Sequence, residues 1–76
     1  MLTRITIAGM HAVHAVRAVQ TALGALAGVA SADVRMGEAL VEHEDGVTEE
    51  QLRDAIAVAG FDVLSLTRQP RRLRLL

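Results

Sequence analysis

The sequence predicts an α+β domain in which two helices cover one face of a four-stranded antiparallel sheet. Three observations carry that expectation. Short runs of alternating apolar residues bracket two stretches with helical spacing, glycine stands at several of the boundaries between them, and 76 residues leave room for only one core.

The elements follow in order. Leu2 to Ile7 places Thr3, Ile5 and Ile7 on one side, and three β-branched side chains suit a pleated surface. Ala8-Gly9 breaks this first strand. From about His11 to Leu26, Val13, Val16, Val19, Leu23 and Leu26 recur at helical spacing among alanines, and Gly28 reads as the stop. Val29 to Met36 is expected as a strand with Ala32, Val34 and Met36 on one face. A turn at Gly37-Glu38 then leads to Ala39, Val41 and His43, alternating with Leu40, Glu42 and Glu44, so the two strands form a hairpin. Thr48 and Gln51 make a capping-box pattern for a second helix, whose buried stripe is Leu52, Ala55, Ile56 and Ala59. Gly60 closes that helix, and Phe61 to Leu66 reads as the last strand. The order βαββαβ folds naturally as a ferredoxin-like sandwich, an arrangement that hosts many unrelated functions. Residues 67–76 lose the alternation and read as a basic tail or the start of a linker, with Leu73, Leu75 and Leu76 able to add a short strand.

Composition removes several function classes. There is one aromatic residue, Phe61, and no Trp or Tyr, so no platform exists for stacking bases, and nucleic acid is not an expected partner. No apolar run approaches the roughly 20 residues that cross a bilayer, and the start does not read as a secretion signal, so neither membrane insertion nor export is expected. Location by default is cytoplasmic. The net charge is −1, yet the acidic residues all lie from Asp33 onward while Arg68, Arg71, Arg72 and Arg74 crowd the end. The acidic run reads as a solvated face, with docking to a basic partner as the alternative. No nucleophile and base stand in a catalytic pattern, so an enzyme is not expected.

Gly9-Met10-His11-Ala12-Val13-His14-Ala15 opens the first helix in the manner of a soft-metal loop, but the chain has no cysteine. The chain resembles the heavy-metal-associated domain of copper chaperones, mercury-binding proteins and metal-transporting P-type ATPases. The resemblance covers about residues 2–66. It rests on Gly9-Met10-His11, Val16 and Val19, Gly28-Val29, the hairpin ending at Val41, and Glu50-Gln51-Leu52 through Ala55-Ile56 to Ala59-Gly60-Phe61-Asp62-Val63.

That resemblance implies a motif Gly-Met-x-Cys-x-x-Cys whose two thiolates fall on Ala12 and Ala15. Sulfur is the soft donor that Cu(I) prefers, and two sulfurs three residues apart at a helix mouth can share one ion. Alanine keeps the helix and removes both donors. It further implies that Met10 packs beneath the loop and that Phe61 stands beside it, although a plain core aromatic accounts for Phe61 equally well. His11 and His14 are the remaining metal-ligand candidates, and their spacing on a helix would put both on about one face. They suit Zn(II), Cu(II) or Ni(II) better than Cu(I), yet two ligands leave a site incomplete without a second molecule, and His43 lies on a distant strand.

The expected parent function is therefore binding and handover of a heavy metal, Cu(I) foremost, with a metal-transporting ATPase or a soluble metallochaperone as partner. In this chain the thiolates are missing, through an engineered double replacement or natural loss, and no copper need be bound. A metal-independent interaction or regulatory module on the same fold is the other reading. Residues 1–66 would form the domain and 67–76 the tail.

Overall fold

The computed structural model describes residues 1–69, in the order β1 Leu2–Ala8, α1 Val13–Gly24, β2 Val29–Arg35, β3 Glu38–His43, α2 Glu49–Val58 and β4 Asp62–Gln69. All strand pairs are antiparallel, and the sheet order is β2-β3-β1-β4. This is the ferredoxin-like sandwich. Burial is one-sided along the central strands, with Thr3, Ile5 and Ile7 of β1 and Ala39, Val41 and His43 of β3 turned inward. Against them α1 sets Ala15, Val19 and Leu23, and α2 sets Leu52, Ala55 and Ile56. Ile5, Val19, Leu23, Val41, Leu52 and Ile56 are wholly removed from solvent. Each contributes about 1.5–3 kcal/mol by its burial.

Four local expectations are corrected. The first helix runs from Val13 to Gly24 instead of from His11 to Leu26, and Gly28 belongs to the following loop. Val13 is 79% exposed and leaves the buried stripe, because it lies about 120° around the helix from Val19. Met36 is half exposed, since Arg35 pairs with Glu38 and the two residues between them, Met36 and Gly37, form the hairpin turn. Gly37, at φ +84°, takes the backbone conformation that the turn needs. Finally, β4 continues through Thr67, Arg68 and Gln69, which pair with Arg4, Thr3 and Leu2. Leu73, Leu75 and Leu76 lie outside the described residues.

Topology separates two ends of the sandwich. At one end, β1 finishes beside the β2–β3 turn, with the Ile7 amide donating to the Gly37 carbonyl at 2.9 Å, and α1 begins. At the other end, a polar pair closes the core. The His43 ring, 3% exposed, stands 2.7 Å from both the Thr3 hydroxyl (at Nε2) and the Glu44 carbonyl (at Nδ1). A carbonyl only accepts, so in the neutral ring Nδ1 carries the proton and Nε2 accepts from Thr3. Beside them the Arg68 guanidinium donates to the Val47 carbonyl at 3.1 Å and ties the edge strand to the loop before α2. Both ring nitrogens of His43 are thus committed to the fold.

Candidate metal loop

The loop between β1 and α1 starts at Gly9, whose φ of +90° turns the chain away from the sheet. A Cβ there would sit 3.5 Å from Phe61 Cδ1, an ordinary contact, so conformation rather than space selects glycine. Phe61 therefore stands against the first residue of the loop, half-buried, on the turn between α2 and β4. Met10 folds under and joins the core at 5% exposure. The next residues divide by position: His11, Val13 and His14 are exposed, Ala12 is half-buried, and Ala15 is 4% exposed.

Ala12 is the N-cap of α1, with extended backbone at φ −144° and ψ 158°, and the Ala15 amide donates to its carbonyl at 2.9 Å. Ala12 and Ala15 are thus the N-cap and N3 residues. The other helix displays what those two positions can do. In α2 the same positions hold Thr48 and Gln51, whose side-chain oxygens lie 3.4 Å apart while each accepts from the other's backbone amide. Side chains at N-cap and N3 face one another across the first turn. Donor atoms at positions 12 and 15 would meet in the same way, whereas two methyl groups supply none.

The mouth of α1 also lacks any side-chain cap and has no acidic residue in its first turn. A cap is worth about 1 kcal/mol. An Ala12→Asp chain is expected to be more stable by about 1 kcal/mol, read as a higher denaturant midpoint at unchanged slope. A midpoint that does not move would mean that the cap geometry differs from that described.

His11 precedes the N-cap, so the helical rule that would place it over His14 does not govern the pair. His43 is at the opposite end and internally bonded. Among the described residues no group of three or more His, Cys, Asp or Glu is arranged to hold a metal ion. As it stands, the loop does not fit Cu(I), because the positions that converge carry no sulfur. Sequence reasoning did not find the β2–β3 turn as part of this end; Gly37 was its only local signal. Val13 and Met36 are two large apolar side chains exposed at the loop end of the molecule.

No family model matches the chain, and no curated protein matches it. Solved structures do. A CopZ metallochaperone is 36% identical, with 84% of this chain and all of that one covered at a TM-score of 0.80. A copper-binding domain from HMA7, a P-type ATPase, is 28% identical over 87% of this chain and 97% of its own, at TM-score 0.78. Oxidized MerP from Ralstonia metallidurans CH34, at 24% identity, shares the fold with TM-score 0.81 over 90% of this chain and 97% of that one. The fold, and the place of the loop within it, are those of small domains described as a metallochaperone and a copper-binding part of an ATPase. The chain belongs to the heavy-metal-associated domain family.

Among the described residues no helix is long and apolar enough to cross a membrane.

Proposed function

We propose that this chain is a heavy-metal binding and transfer domain, Cu(I) being the cargo of its parent form, that lacks the two thiolates of the transfer site. The observation that carries the reading is the placement of Ala12 and Ala15 at the N-cap and N3 of α1, where two donors would converge. Met10 and Phe61 support that loop from below and beside it. In a thiolate-bearing form, cargo would pass by ligand exchange, an incoming thiolate attacking the bound ion while a resident sulfur leaves. The partner is a metal-transporting ATPase domain or a soluble metallochaperone in the cytoplasm. No catalytic role is assigned. Copper as the cargo is supported by the likeness to a CopZ metallochaperone and to a copper-binding domain of a P-type ATPase.

The alternative is a metal-independent interaction module, and one feature favours it. A groove of about 370 Å³ lies between the helices, lined by Ala22, Leu26, Gln51, Asp54 and Val58. The readings part in a Cu(I) titration against a competing chelator. Restoring cysteine at positions 12 and 15 creates one-to-one binding if the first is right. No gain in affinity ends it and leaves the module.

A further inference from the structure

We propose that the chain takes up Zn(II) between two copies, each giving the imidazoles of His11 and His14. The inference is independent of the lost thiolates and of copper.

Both histidines are exposed, on either side of Ala12 and Val13, at the end of the molecule where α1 begins. The third histidine cannot join them, since it is buried at the far end with both nitrogens hydrogen-bonded. A neutral imidazole is a borderline donor that suits Zn(II), and zinc takes four ligands in a tetrahedron. Among the described residues no single-chain group of even three such ligands is arranged around an ion. No carboxylate occurs before Asp33, so β1, the loop and α1 offer only the two imidazoles. Asp62 starts β4 opposite Ala8 at this same end, yet it forms no group of three with the histidines. The site is therefore incomplete in a single copy and complete in two, with four neutral nitrogens around one ion.

The surface around the histidines suits a second copy. Val13, at 79% exposure, lies between them in sequence, and Met36 projects from the adjoining turn at 50%. Burying such side chains against their counterparts removes apolar area from water and adds to the bond made by the metal. Arg17, one turn beyond His14, Asp62 at the start of β4, and Arg35 and Glu38 beside the hairpin turn would each meet a like charge on a second copy, an opposition that salt screens at exposed positions.

The test is a titration of the full chain with zinc chloride, followed by calorimetry for stoichiometry and by sedimentation for mass. Uptake should saturate at one zinc for two chains, with mass doubling from 8.1 kDa over the same range and reverting when a chelator is added. A His11→Ala, His14→Ala chain, in which both changes are at exposed positions, should keep its circular dichroism spectrum and lose both effects. One zinc per chain without a change of mass would overturn the shared site and point to Asp62 or another single-chain ligand set. A doubling of mass that survives the double replacement, or no uptake at all, would overturn it equally. Neither failure touches the cysteine-restoration experiment, which reads a different pair of positions.

Discussion

An Ala12→Cys, Ala15→Cys chain is expected to compete with a strong chelator for one Cu(I), where the present chain competes for none. The gain should be at least about a thousandfold in affinity, roughly 4 kcal/mol. Its cause is local. The backbone already sets residue 12 extended and residue 15 in the first turn, joined by the 2.9 Å bond from the Ala15 amide to the Ala12 carbonyl. Donors at these two positions would then be set to face each other, by analogy with Thr48 and Gln51, which hold the same two positions in α2. Little ordering remains to oppose binding when the donors are restored. Thiols at a helix N-terminus are also acidified by the dipole, so both would be largely thiolate and ready to bind.

The two positions are not equivalent. Ala15 is 4% exposed while Ala12 is half-buried, so a single cysteine at 12 should react faster with a thiol reagent than one at 15. The outer sulfur would be the point of entry for an incoming metal. Equal labelling rates in the two single variants would contradict the burial, and a double variant that labels fast but binds no Cu(I) would contradict the convergence.

Most of the fold was readable from pattern, because strand alternation, helix spacing and the Thr48–Gln51 capping box are local signals. The departures arise where pairing over distance decides. β4 extends to Gln69 because its last residues find backbone partners on Leu2, Thr3 and Arg4, which no side-chain pattern near Thr67 announces. Arg68 conceals the alternation further: it shares the inner face with Thr3 and reaches a carbonyl 21 positions earlier, at Val47. His43 fits its strand by alternation, but its buried partner Thr3 is 40 positions away. At the candidate site, the spacing of positions 12 and 15 was legible, whereas their places as N-cap and N3 depend on where α1 starts. A periodic pattern beginning near His11 left that start open by two residues, and the extended backbone of Ala12 fixes it.

A Gly28→Ala replacement is expected to destabilise the domain by about 2–6 kcal/mol, a large share of the stability of a chain this size. Two causes add. Gly28 holds φ at +92°, a conformation that costs an L-residue about 1–3 kcal/mol. The new methyl would also lie 2.7 Å from Val47 Cγ2, and crowding of a packed side chain costs about 1–3 kcal/mol more. Neither cause relaxes easily. The Gly28 carbonyl accepts from the Glu44 amide at 2.8 Å, which pins the loop after α1 to the end of β3, and Val47 is itself 4% exposed in the core. Gly24 provides the control, since it ends α1 with an ordinary φ and a Cβ there would meet nothing within 4 Å. Gly24→Ala should instead stabilise by about 0.5–1 kcal/mol through helix propensity and a less flexible unfolded chain. Denaturant titration of both variants decides the matter: a Gly28→Ala midpoint at or above that of the present chain would mean that the loop at Gly28 yields, and with it the junction of α1 and β3, while a lowered Gly24→Ala midpoint would contradict the control.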